Sequence, residues 1–137
     1  LVEIGIPVMG HLGLTPQSFH HLGGFRKQAK TEATADTLFQ QALDLQAAGA
    51  YSIVLESIPA TLADRVTKAL DIPTVGIGAG PDCDGQVLVT HDILGIGDYS
   101  PPFAKVYAQL GNEMVKAFEA YADEVRSGDF KIEPKKS

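Results

Sequence analysis

The sequence has a single cysteine, Cys83, in 137 residues. One thiol excludes an internal disulfide framework and any metal site built from several cysteines. It fits a reducing compartment, and a cytoplasmic location is the expectation. Positive charge is also in short supply: 11 Lys and Arg stand against 17 Asp and Glu, for a net charge of −6 and a pI near 5.0. Nucleic acids and anionic membrane surfaces are recognised through basic patches, so neither is expected as a partner. The two small basic groups, Arg26, Lys27 and Lys30 and then Lys131, Lys135 and Lys136, read as solvated surface. No apolar run approaches the roughly 20 residues of a membrane span. The opening LVEIGIPVMGHLG lacks the basic start of a signal peptide and is interrupted by Pro7 and Gly10. It has no initiator methionine and opens inside a pattern, so the expectation is a fragment.

What is present is an ordinary globular composition, 45% hydrophobic and 20% charged. Four short segments rich in Val and Ile stand out: Ile6–Met9, Ser52–Leu55, Thr74–Ile77 and Val87–Val89. They show no clean alternation and are bounded by Gly or Pro, which suits strands buried on both faces of a parallel sheet. Helical patterns lie between them. Thr34–Ala48 places Leu38, Ala42 and Leu45 on one face, and Gly49 supplies a stop. Pro59–Leu70 aligns Leu62, Val66 and Ala69 before Asp71-Ile72-Pro73 breaks the pattern. Phe103–Arg126 is long and amphipathic, with Gly111 expected to divide it into two helices. IPVMGHLG (6–13) and IPTVGIGAG (72–80) share an Ile-Pro entry and a Gly exit, a faint internal repeat.

Repeated strand–loop–helix units build (β/α)8 barrels, but four strands make half of one, and a full barrel runs to ~250 residues. A free half would leave open sheet edges. Residues 1–137 are therefore read as the C-terminal part of a single (β/α)8 TIM barrel domain, about its last four βα units plus C-terminal helices. A small doubly wound α/β sheet is the alternative.

In both architectures catalytic side chains gather at the C-terminal ends of the strands. Glu56 follows Ile53-Val54-Leu55, His11 follows Val8-Met9-Gly10, and His91 and Asp92 follow Val87–Thr90. Glu56 has two readings, a functional carboxylate or one satisfied at the N-terminus of the helix begun by Pro59. His11 likewise reads as a structural hydrogen-bonder or a site residue. Gly76–Gly80 lacks the order and the lysine of a nucleotide loop, and close backbone packing at a rim accounts for its glycines. Asp82-Cys83-Asp84-Gly85 reads as a polar turn, since two acids do not make a calcium site. His20-His21-Leu22-Gly23-Gly24 reads as a loop. The glycines after Leu12 suggest a crowded mouth lined by backbone.

GHLGLTPQS (10–18), LGGF (22–25), VLESIP (54–59), IPTVGIGAG (72–80) and DGQVLVTHD (84–92) together resemble the ketopantoate hydroxymethyltransferase family over roughly residues 5–130. The tail FKIEPKKS departs from the family's ending. The resemblance implies a barrel of the phosphoenolpyruvate/pyruvate-binding superfamily, assembled as a homodecamer. It implies transfer of a one-carbon unit from 5,10-methylenetetrahydrofolate to 3-methyl-2-oxobutanoate, giving 2-dehydropantoate on the way to pantothenate, with Mg²⁺ required. By the same resemblance Glu56 is the proton acceptor and His11 lies in the substrate pocket. The family's magnesium ligands match no position here, so no metal-binding residue is expected in this chain. The reaction removes a proton α to a ketone, which a carboxylate within hydrogen-bond reach performs. Leu55 and Ile58, which flank Glu56, are expected to exclude water from it. The alternatives are a related barrel carbon–carbon lyase or mutase acting on a 2-oxo acid, and an inactive half-barrel.

Overall fold

A computed structural model describes residues 1–18 and 27–131. The His20–Gly24 loop and most of the basic C-terminal tail lie outside these described residues. The chain divides into two compact units, Leu1–Val87 and Leu88–Ser137.

The first unit holds a four-stranded sheet: β1 (Met9–Gly13), β2 (Ser52–Glu56), β3 (Thr74–Ile77) and β4 (Gly85–Gln86). The strands pair in chain order and are all parallel. Two helices, α1 (Glu32–Ala47) and α2 (Ala60–Ala69), connect the first three. Helix α1 starts where the side chain of Thr31 accepts the Thr34 N–H and Thr34 answers the Thr31 N–H, a reciprocal cap. It stops at Gly49, whose φ of 88° few other residues adopt. Pro59 occupies the N-cap of α2, leaving the next residues free to turn helical.

Both helices cover the same face of the sheet. Leu38 and Ala42 from α1 and Leu62, Ala63 and Val66 from α2 bury against Ile53 and Leu55 of β2, with Ile58 and Ala79 completing the core. Ile53 and Leu55 are fully buried, and each such side chain contributes roughly 1.5–3 kcal/mol through removal from water. The other parity of the strands, His11, Val54, Glu56, Val75 and Ile77, forms the opposite face and is half-buried. A doubly wound sheet carries helices on both faces; here both helices lie on one.

Several expectations from sequence need correction. The first strand is Met9–Gly13 rather than Ile6–Met9. Pro7 has no N–H for a ladder, and β2 runs on to Glu56, which pairs β1 as far as Gly13. The fourth strand is Gly85–Gln86 rather than Val87–Val89: these two pair with Val75 and Gly76 of β3, and the contact ends where the Val87 N–H donates to the Gly76 carbonyl. No helix joins β3 to β4, so the strand–loop–helix repeat fails at its third member.

The Asp82–Gly85 turn is polar, as expected, and it has a specific anchor. The Asp84 carboxylate accepts hydrogen bonds from the Thr74 N–H (2.8 Å) and hydroxyl (3.1 Å) at the start of β3. Those bonds, the backbone one foremost, hold the Asp84 carboxyl below its ordinary value. A depressed carboxyl stabilises the fold above the unfolded pKa of about 3.9 and ceases to as pH falls through the folded value. Asp84→Asn is therefore expected to cost about 1 kcal/mol or less at neutral pH, because the group is exposed and screened. The gap from the parent closes below about pH 3.9, measurable as urea midpoints across pH. The neighbouring Cys83 thiol is pushed up, chiefly by burial.

The second unit contains α3 (Thr90–Leu94) and α4 (Leu110–Ser127). Residues 103–109 are not helical, against the expectation of one pattern from Phe103. The Tyr107 and Gly111 N–H groups donate to the carbonyls of Ile93 and Gly95 instead of within a helix. Gly111 does not break a helix but sits in the first turn of α4. A Cβ there would lie 2.9 Å from the Gly95 carbonyl oxygen and 2.8 Å from that of Ile96. His91 and Asp92 belong to α3, beyond a short non-strand stretch after β4, rather than directly ending a strand.

Candidate functional site

Glu56 is the last residue of β2 and pairs in register with Gly13 of β1; His11 pairs with Val54. His11 and Glu56 are thus diagonal neighbours on one face of adjacent parallel strands, near enough for long side chains to meet. They do: His11 Nε2 lies 3.0 Å from Glu56 Oε2. With the carboxylate ionised, the imidazole N–H is the donor. The side chains retain 32% and 16% of their exposure, so the pair is sheltered yet reachable.

The alternative reading of Glu56, a carboxylate satisfied at the start of α2, is not what forms. No side chain caps that helix, and the Glu56 carboxylate turns to His11. The expected placement of His11 is corrected as well. It lies within β1 rather than in the loop beyond it, because pairing to β2 carries the strand past Met9. Leu55 and Ile58 do not shield the carboxylate from its own side. Both are fully buried in the helix-side core, and the apolar neighbours on Glu56's face are Val54 and Ile77, the register partner of Glu56. This correction follows from strand alternation.

The backbone around Glu56 is tied at several points. Its carbonyl accepts the Leu14 N–H (2.9 Å), and the Ser57 N–H donates to the Ile77 carbonyl (2.9 Å). The Ser57 carbonyl accepts the Gln28 N–H (2.8 Å). Gly13, at φ 93°, packs directly on this junction: a Cβ would strike the Glu56 carbonyl oxygen and come within 2.7 Å of Ile58 Cγ2. The glycine after Leu12 is therefore a close approach of backbone to backbone, as its position suggested. Gly80, at φ 87°, packs on Ala60, where a Cβ would lie 3.0 Å from the Ala60 Cα. Sequence reading missed Ser57, whose φ of 51° is unusual for a residue other than glycine. Serine gives no signal of that conformation.

The site's donor set is one carboxylate and one imidazole. Magnesium takes near-octahedral oxygen coordination, so these residues do not fit that ion. Among the described residues no group of three His, Cys, Asp or Glu could hold a metal.

Residues 1–133 match the family model described as ketopantoate hydroxymethyltransferase. The chain is 58% identical over 134 residues to the 3-methyl-2-oxobutanoate hydroxymethyltransferase of Pelobacter propionicus, covering 97% of this chain and 49% of that protein. It is 55% identical over 130 residues to those of Acaryochloris marina and Ignicoccus hospitalis, covering 95% of this chain and 50% and 49% of theirs. The chain spans about half the length of the relatives it matches.

Proposed function

Because the chain belongs to the ketopantoate hydroxymethyltransferase family, we propose that a full-length protein carrying it transfers a one-carbon unit from 5,10-methylenetetrahydrofolate to 3-methyl-2-oxobutanoate, with Glu56 as the base. The observation that carries this reading is the His11–Glu56 pair, 3.0 Å apart on the open face at the strand ends.

The C3 proton of 3-methyl-2-oxobutanoate is α to the ketone and so removable by a positioned carboxylate. Glu56 takes that proton, and the electron pair it leaves becomes the enolate. The enolate carbon bonds to the methylene carbon as the first of its two carbon–nitrogen bonds to folate breaks, that nitrogen taking the proton held by Glu56. Water then displaces the second nitrogen, which takes the water's proton. That water supplies the hydroxyl oxygen, and tetrahydrofolate is released with 2-dehydropantoate. His11 orients the carboxylate through its Nε2–H and lines the substrate pocket. One carboxylate paired with an imidazole does not by itself hold Mg²⁺. Its ligands are assigned to the half of the relatives' length that the chain does not span.

The same reading takes the sheet as an arc of a closed (β/α)8 barrel. Sequential parallel strands, helices on one face and a half-buried opposite face support it. Assembly as a homodecamer in the cytoplasm belongs to the same proposal. The test is product formation by the full-length protein with and without 5,10-methylenetetrahydrofolate. Dependence on the folate is expected, whereas folate-independent cleavage or rearrangement of a 2-oxo acid would assign a related lyase or mutase activity instead.

A further inference from the structure

Among the described residues, Ala29 and Ser57 are the non-glycine residues with positive φ, at 52° and 51°. Such conformations persist only where the surroundings over-determine them, and they gather at functional sites. Here the two are joined: the N–H of Gln28, next to Ala29, donates to the Ser57 carbonyl. Ser57 directly follows Glu56.

Three separate segments hold the turn. Leu14 binds the Glu56 carbonyl, Ile77 takes the Ser57 N–H, and Gln28 takes the Ser57 carbonyl. The left-handed residue lets the chain reverse at once. Ile58 then enters the helix-side core at zero exposure, while Glu56 stays on the opposite face against His11. An extended residue at position 57 would carry β2 onward and pull Ile58 from the core, straining the strand end that holds Glu56.

We infer that Ser57 is a positioning residue whose left-handed backbone, not its hydroxyl, aims the Glu56 carboxylate at His11 and the substrate. The inference rests on Glu56 being the base. Because misplacement by about 1 Å costs on the order of 10²-fold in rate, the effect falls on kcat rather than on binding.

The experiment compares Ser57→Thr, Ser57→Gly and Ser57→Asn in the full-length protein, measuring kcat and KM for 3-methyl-2-oxobutanoate and confirming the fold by circular dichroism. Threonine keeps the hydroxyl but is β-branched and resists left-handed φ, whereas glycine and asparagine lose the hydroxyl and tolerate it. Ser57→Thr is expected to lose roughly 10–100-fold in kcat with KM little changed. Ser57→Gly and Ser57→Asn are expected to stay within about threefold of the parent. Parental kcat in Ser57→Thr, or loss in the glycine and asparagine variants, overturns the proposal. A Ser57→Thr protein that fails to fold leaves the decision with the other two, where retained turnover supports the backbone role and loss overturns it. Glu56→Gln run alongside separates the two ideas: if it is inactive while Ser57→Thr is not, only the positioning role falls. If Glu56→Gln keeps full turnover, the base assignment itself falls.

Discussion

Glu56→Gln in the full-length protein is expected to lower turnover by about 10²–10⁴-fold, the usual contribution of a general base. The amide is nearly isosteric and still accepts the His11 Nε2–H through its oxygen, so the 3.0 Å contact and the fold survive. What it cannot do is take a proton at neutral pH. The KM for the ketoacid is therefore expected to change little, because an interaction made mainly in the transition state is removed. Thermal unfolding is expected to show little change, since the side chain lies outside the buried core. Turnover near the parent's would remove Glu56 from the base role.

Gly13→Ala is expected to be the most damaging single methyl group in the strand region. The position has φ 93°, and the new Cβ meets the Glu56 carbonyl oxygen and Ile58 Cγ2 at once. Neither neighbour yields easily. The Glu56 carbonyl already accepts the Leu14 N–H, and Ile58 is fully buried. Backbone strain and overpacking each cost about 1–3 kcal/mol, so a loss of about 2–6 kcal/mol is expected as a lowered urea midpoint. Activity is expected to fall further than stability explains, because the displaced group is the main chain of the proposed base. A variant with parental midpoint and turnover would show that this close approach is not structural.

Much of this arrangement was legible from residue types alone, and the failures have physical causes. The apolar run Ile53-Val54-Leu55, with helix-starting Pro59 close behind, places Glu56 at a strand end, where β2 ends. Helices α1 and α2 followed from periodicity and from their flanking Thr, Gly and Pro. Strand limits were less legible, since they depend on what the neighbouring strand offers. Met9–Gly13 is a strand because Ser52–Glu56 lies beside it, although Gly10 and Gly13 have low strand preference. The segment 103–109 has an amphipathic pattern, yet Tyr107 and Gly111 spend their donors on α3 and its C-cap. Tertiary hydrogen bonds outweighed local periodicity there. Strand-end position and family resemblance make His11 a candidate, and its contact with Glu56 becomes visible only through the register. The left-handed Ser57 had no sequence signal, because three remote backbone groups impose it.

Solvent exchange measures by itself the removal of the ketoacid's C3 proton, the step proposed for Glu56. The full-length protein is incubated with 3-methyl-2-oxobutanoate in D₂O without folate, and loss of the C3 proton signal is followed by NMR. The parent is expected to exchange that proton, and Glu56→Gln to exchange it at least about 10²-fold more slowly. Equal exchange rates in parent and variant would contradict the assignment of Glu56 as the base.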